Sequence, residues 1–154
     1  MPFAKLQWLF PIAVTLHSLE EEIYMPPWLS TQGRPTHPGA EKIWFGLLFL
    51  TLAAFVVTYL SAQQGKQSTS AYLLFGYITA MLLNVLVPHI PATLAFRGYT
   101  PGVVTAVLIN LPVMSILLFK AVREQWVSGG RAIAYALLVP LAIGGAIAAL
   151  LAIS

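Results

Sequence analysis

Residues 43–62 read IWFGLLFLTLAAFVVTYLSA and contain no charged side chain. A helix that crosses a bilayer needs about 20 consecutive apolar residues, so this stretch predicts a membrane span. Four more apolar runs predict further spans, at residues 2–22, 71–96, 101–120 and 132–153. The sequence therefore predicts an all-α fold, a polytopic transmembrane helical bundle of about five spanning helices, as a single integral membrane domain over residues 1–154.

The composition supports a membrane protein and excludes several kinds of chemistry. Charged residues make up 8% of the 154-residue chain, against roughly 25% in an average globular protein. The net charge of +3 therefore bears on orientation in the membrane, with membrane lipids and no nucleic acid as the expected partners. The chain has no cysteine, which excludes disulfides, iron–sulfur clusters, thiolate zinc sites and cysteine nucleophiles.

Proline and polar residues mark the predicted connections. Residues 25–42 are rich in proline, glycine and polar groups and predict an extramembrane loop, in which His37 is interpreted as a solvated histidine. Pro11 is expected to kink the first span, and Pro88 and Pro91 to break the third. No small-x-small cleavage site follows the first apolar run, and acids occupy its place, so a signal peptide is disfavoured.

Five spans place the two termini on opposite sides of the membrane. The N-terminal side would carry five basic residues and the other side three. The basic residues on the N-terminal side are Lys5, Lys66, Lys120, Arg123 and Arg131. The positive-inside rule then favours a cytoplasmic N-terminus in a bacterial-type plasma membrane.

The most polar stretch of the apolar regions is HSLEEEIY, residues 17–24, which holds three of the five acids and one of the three histidines. In a helix, His17, Glu20 and Glu21 share one face. From His17, Glu21 is offset by about 40°, Glu20 by about 60° and Glu22 by about 140°. We therefore expect Glu20 and Glu21 to be required for function and Glu22 to be dispensable.

The predicted topology brings other polar residues to the same leaflet. His89 lies near the end of the third span, Asn84 lies slightly deeper, and Tyr99 lies in the turn just before the fourth span. Polar side chains inside a membrane usually face the bundle interior or a wet cavity. Their convergence predicts a site, although a solvated helix end, a capping histidine and an asparagine joining helices are alternative interpretations.

These side chains suggest metal chemistry. His17, Glu21 and His89 offer nitrogen and oxygen ligands that suit a divalent ion such as zinc, iron or manganese. Glu20 would then act as a general base, and Asn84 and Tyr99 would complete the catalytic set. The spacing is not that of a zincin, which needs two histidines four residues apart.

Two blocks of sequence resemble the family of small integral membrane proteins named for the motif HXXEE. The first is His17-Ser18-Leu19-Glu20-Glu21 followed by Pro26-Pro27-Trp28, and the second is Asn84 and His89 followed by Tyr99-Thr100-Pro101-Gly102. The resemblance implies a helical bundle whose candidate functional residues are His17, Glu20, Glu21, Asn84 and His89. It implies no settled activity.

Two functions of different classes follow from the sequence. The first is a membrane-embedded metal-dependent enzyme, a hydrolase that acts on a lipid or other small apolar substrate. The second is a non-enzymatic carrier or binding protein whose His–Glu cluster holds a proton, a metal ion or a ligand. A structural subunit is a third interpretation.

Overall fold

A computed structural model describes residues 1–32 and 39–152, and His37 lies outside the described residues. These residues form helices and short connections, with no strand among them. In chain order the helices are α1 (Phe3–Leu6), α2 (Leu9–Thr31), α3 (Gly39–Gln64), α4 (Thr69–Asn84), α5 (Ile90–Phe96), α6 (Val103–Thr105), α7 (Leu111–Arg123) and α8 (Gly129–Ala152). The predicted all-α bundle is confirmed.

Four continuous helical stretches in the described part of the chain are long and apolar enough to cross a membrane. They are Ile43–Gln64, Thr69–Phe96, Val103–Arg123 and Gly129–Leu150, and they overlap four of the predicted spans. Such helices are those of an integral membrane protein. Helix α2 has 23 residues, enough for a fifth span by length, but its three glutamates make it less apolar. The first span therefore stays a prediction.

The predicted loop over residues 25–42 was wrong at both ends. Helix α2 continues through Pro26 and Pro27 to Thr31, and α3 already begins at Gly39. Two prolines deprive the helix of two backbone donors, but aromatic contacts hold the helix on both sides of them. Tyr24 packs edge-on against Tyr99 and Trp28 against Phe96, with ring centroids 5.8 and 5.0 Å apart. Tertiary packing thus overrides the local helix-breaking signal.

The expected kink at Pro11 was also misplaced. The chain breaks earlier, at Gln7 and Trp8, and Pro11 lies in the first turn of α2. A proline is tolerated there because the backbone N–H groups of the first turn have no partner within the helix. The buried Gln7 side chain stabilises the break, since its carbonyl accepts a 2.9 Å hydrogen bond from Ser61 of α3.

Helix α4 lies at the centre of the bundle. Tyr72, Leu74 and Ile78 are fully buried in a core that also includes Phe10 of α2 and Met114 of α7. Helix α8 packs directly on the backbone of α4 at Gly76. A Cβ atom there would lie 2.5 Å from the carbonyl oxygen of Tyr135, so the small residue permits the close approach of the two helices.

Two π-helical turns interrupt the long helices near one end of the bundle. Val85–His89 joins α4 to α5, and Ala106–Asn110 joins α6 to α7. The first turn includes Val87, whose backbone is extended rather than helical, which confirms the predicted break before Pro88. The two turns are in contact. Such turns often occur at functional sites because they rotate side chains out of the regular helical register.

The N-terminus is fixed at the other end of the bundle, outside the long helices. The backbone N–H of Phe3 donates a 2.8 Å hydrogen bond to the Glu124 carboxylate, and Lys120 lies 3.1 Å from the same group. The bond from Phe3, followed by the contact with Lys120, lowers the pKa of Glu124. The carboxylate therefore stays ionised when it holds the N-terminal segment.

Candidate metal centre

Two imidazoles and one carboxylate meet between α2 and the first π-helical turn. Oε1 of Glu21 lies 3.9 Å from Nε2 of His17 and 3.5 Å from Nε2 of His89. The three potential ligand atoms all lie within 4.8 Å of one another. Two ligands of a tetrahedral zinc ion, each about 2.1 Å from it, are separated by roughly 3.4 Å. The three residues could hold a divalent ion if their widest separation, up to 4.8 Å, contracted by about 1.4 Å.

Asn84 joins the two imidazoles. Its amide nitrogen lies 3.2 Å from Nε2 of His17 and 3.0 Å from Nε2 of His89. An amide nitrogen only donates, and it has two protons. Each Nε2 atom can therefore accept one N–H through its lone pair, and both lone pairs point toward the space between the rings.

Thr105 fixes the protonation of His17. Its hydroxyl lies 2.5 Å from Oε2 of Glu20 and 2.9 Å from Nδ1 of His17. A hydroxyl has one proton, and the ionised carboxylate can only accept it, so the Thr105 oxygen must accept from Nδ1–H of His17. The neutral imidazole then has an unprotonated Nε2, the tautomer that a metal-binding histidine requires, and this atom accepts from Asn84.

Glu20 caps the helix that begins the fourth span. Its Oε1 accepts hydrogen bonds from the Tyr99 hydroxyl at 2.8 Å and the Val104 N–H at 3.2 Å. Its Oε2 accepts from the N–H of Thr105 at 2.7 Å and from the hydroxyl of the same residue. These four bonds occupy all four lone-pair positions of the carboxylate. Two of them satisfy N–H groups at the start of α6, where an anion is also favoured by the helix dipole.

Gly102 lets the turn before α6 approach both histidines. Its φ of +85° is a conformation that residues with side chains rarely adopt. A Cβ atom at this position would lie 2.6 Å from Cε1 of His89 and 2.9 Å from both Cε1 of His17 and Cγ of Glu21. Only a glycine leaves room for the three candidate ligands.

The six residues selected from sequence thus divide into two connected groups. His17 and His89 each contact both Glu21 and Asn84, whereas Glu20 bonds Tyr99 and the start of α6. Partial burial, followed by the bond to Glu20, raises the pKa of Tyr99, so its hydroxyl remains a donor. The role of Glu20 as a general base stays a prediction, and its contacts favour a positioning role.

A known family matches the part of the chain that carries this site. The profile of a family described as proteins of unknown function with an HXXEE motif matches residues 8–117. The chain belongs to this family. It is similar to the uncharacterized protein YrkK of Bacillus subtilis, with 27% identity over 112 residues, which are 72% of this chain and 71% of that protein. No solved structure matches the chain.

These contacts give each charged or titratable residue of the HXXEE motif a distinct structural role. Its histidine and last glutamate face each other as candidate ligands, while its first glutamate caps α6 and orients that histidine through Thr105. Sequence reasoning missed Thr105 and the steric role of Gly102. The signal for Gly102 was the turn sequence Thr100-Pro101-Gly102 before an apolar run. Thr105 had no such signal, because threonines are common in apolar helices.

Replacement of Glu20 by glutamine should destabilise the protein. The amide NH₂ group cannot accept a hydrogen bond, so at least one buried donor at the start of α6 loses its partner, at a cost of about 1–3 kcal/mol. The free energy of unfolding, measured in mixed detergent micelles, should fall by that amount. Glu22→Gln is the matched control, because Glu22 lies on the same helix but beside Trp44 of α3 rather than at the start of α6. Equal stability of the two variants would contradict the capping role.

Proposed function

We propose that the protein is a membrane-embedded, metal-dependent hydrolase in which His17, Glu21 and His89 hold a divalent ion. The observation that carries the proposal is the convergence of their three ligand atoms within 4.8 Å, with Nε2 of His17 left unprotonated because its Nδ1 donates to Thr105. Three protein ligands with a remaining open position are typical of a catalytic rather than a structural zinc site.

A bound divalent ion would supply a water of lowered pKa and polarise a carbonyl oxygen. In the overall reaction, ester hydrolysis would add a water to the carbonyl carbon and break the carbon–oxygen bond to the leaving alkoxide. The alkoxide takes a proton that originates from the water, so the products are an acid and an alcohol. Asn84 is close enough to the two imidazoles, at 3.0 and 3.2 Å, to donate to an oxygen at the centre.

Asn84 and a metal ion compete for the same two nitrogen lone pairs, because the amide donates to both Nε2 atoms. The Asn84→Ala variant should therefore bind zinc at least as tightly as the unaltered protein while losing hydrolytic turnover. Isothermal titration with zinc, together with turnover at saturating zinc, measures both quantities. A loss of zinc binding would instead make Asn84 itself a ligand and contradict its assignment as a donor.

The reaction is tested by metal removal and restoration. Detergent-purified protein should hydrolyse a short-chain acyl ester, lose that activity on treatment with a chelator, and regain it on addition of one equivalent of zinc, manganese or iron(II). The Glu21→Gln protein should remain inactive after the same addition, whereas Leu137→Ala, on the exposed surface of α8, should respond like the unaltered protein. Activity that survives chelation and the Glu21 substitution would refute a metal-dependent hydrolase.

A non-enzymatic binding protein is the second candidate, and one specific observation favours it. The Asn84 amide already donates to both Nε2 atoms, so the two imidazoles are hydrogen-bonded without a metal. A carrier of a proton, metal ion or ligand needs such a stable unloaded state. Stoichiometric metal binding without hydrolysis of any tested ester would favour this function over the first.

We also propose that the N-terminus is cytoplasmic in a bacterial-type plasma membrane, with the candidate metal centre near the opposite face. The basis is the five-to-three distribution of basic residues under a five-span topology. Reporter fusions after Ser70 and Gly129 should both report the cytoplasm, and a fusion after Gln32 the opposite side. If the fusions after Gln32 and Gly129 report the same side, the five-span topology fails, because three predicted spans separate these positions. If a tag at the N-terminus and the fusion after Gln32 report the same side, α2 does not span the membrane.

A further inference from the structure

A groove of about 590 Å³ lies between α2 and α3, beside the candidate metal centre. Its walls include Met25 and Leu29 of α2 and Trp44 and Phe45 of α3, and Glu21 and Glu22 line it as well. Glu21 therefore belongs both to the groove and to the His–Glu cluster, since its Oε1 lies 3.5 Å from Nε2 of His89.

The groove has one polar end and one apolar end. From Glu21 to Leu29 it follows α2 for about 12 Å, at 1.5 Å per residue. Near the polar end the two helices are held together by a 3.1 Å hydrogen bond from Thr51 to Ser18, one turn before Glu22. At its side, Trp44 and Phe45 are 51% and 67% exposed, so the groove opens on the surface of the bundle.

These features match an amphiphile whose chain lies along the apolar walls and whose polar group reaches Glu21. A volume of 590 Å³ is in the range of small-molecule sites. A second groove, of about 690 Å³ between α3 and α8, has only apolar side chains on its described walls and offers nothing to orient a polar group. Two carboxylates at the polar end of the first groove disfavour an anionic head group.

We propose that the α2–α3 groove binds the acyl chain of a neutral single-chain lipid ester and places its ester group beside Glu21 and His89. This assignment rests on the proposed hydrolase, for which it names the substrate class. Glu22 is offset from the histidine face of α2 and lines the wall of this groove.

The test uses the full-length protein in phosphatidylcholine nanodiscs and a monoacylglycerol with a photoreactive diazirine in its chain. Mass spectrometry should locate the crosslinks at Met25, Leu29 and Trp44, and excess unlabelled monoacylglycerol should suppress them. Leu29→Trp fills the groove and should reduce the labelling about tenfold. Leu137→Trp, on the exposed surface of α8, adds the same ring outside the groove and should leave the labelling unchanged.

Three results would overturn the assignment. Labelling that excess monoacylglycerol does not suppress, or that Leu29→Trp does not reduce, would mean that the groove holds only bulk lipid. Equal suppression by anionic lysophosphatidic acid would refute the neutral head group. Metal content measured on the same samples separates the two proposals: competed labelling without a metal refutes only the metal-dependent hydrolase, whereas metal without competed labelling refutes only the groove.

Discussion

Replacement of Gly102 by alanine should weaken zinc binding by about 100-fold or more, the upper end of the losses caused by changes around metal ligands. The new Cβ atom would lie 2.6 Å from His89 and 2.9 Å from His17 and Glu21, closer than atoms can pack. All three candidate ligands would have to move apart. Titration of the purified variant with zinc measures the loss.

Gly65→Ala is the matched control for the backbone. Gly65 also has a positive φ, +78°, but nothing lies within 4 Å of the position where its Cβ would be. The alanine therefore introduces the same conformational strain, about 1–3 kcal/mol, without a steric conflict. Its zinc affinity should equal that of the unaltered protein. An equal loss in both variants would attribute the effect to general destabilisation rather than to the site.

The two histidines should behave as one unit. His17→Ala and His89→Ala should each weaken zinc binding by at least about 100-fold, because each removes one of three ligands. The double variant should be no worse than either single variant, since a single remaining ligand and two remaining ligands both fail to hold the ion. Zinc affinity from competition with a chromophoric chelator provides the comparison.

His37→Ala supplies the control for the histidine pair. The sequence predicts that this third histidine is solvated in a loop, so its loss should leave zinc affinity unchanged. Independent, additive losses for His17 and His89 would mean that the two side chains belong to separate sites. A loss at His37 of similar size would point to adventitious binding by histidines in general.

The all-α bundle could be predicted from sequence patterns because most of the chain consists of apolar runs long enough to cross a bilayer. The uncharged run at residues 43–62 lies within α3, and the prolines at 88 and 91 mark the break near Val87. The diproline at Pro26 and Pro27 misled the prediction. Its local cost is offset by contacts with Phe96 and Tyr99, residues about 70 positions away that no local pattern could pair with α2.

The proximity of the candidate site residues could also be predicted from the sequence. The helical offset from His17 to Glu21, together with a five-span topology, was enough to place these residues and His89 near one another. The different contacts of the two motif glutamates could not be predicted from the sequence. They depend on a rotation of α2 that turns Glu20 toward Val104 and Thr105 and Glu21 toward His89, and that rotation is set by packing against other helices.

The groove was missed because it is a property of two helices rather than of one. An offset of about 140° from His17 suggested that Glu22 faces water. In the folded chain the same direction leads toward α3, where Glu22 shares the groove wall with Trp44. A helical wheel gives the direction in which a side chain points, but not which neighbouring helix or solvent lies in that direction.

The metal content of the purified protein tests the central claim most directly. Protein saturated with zinc in detergent, dialysed and analysed by elemental mass spectrometry should retain one ion per chain, and the His17→Ala protein should retain none. Unaltered protein that retains no stoichiometric zinc, manganese or iron, or a His17→Ala protein that retains as much as the unaltered chain, would contradict a metal centre formed by His17, Glu21 and His89.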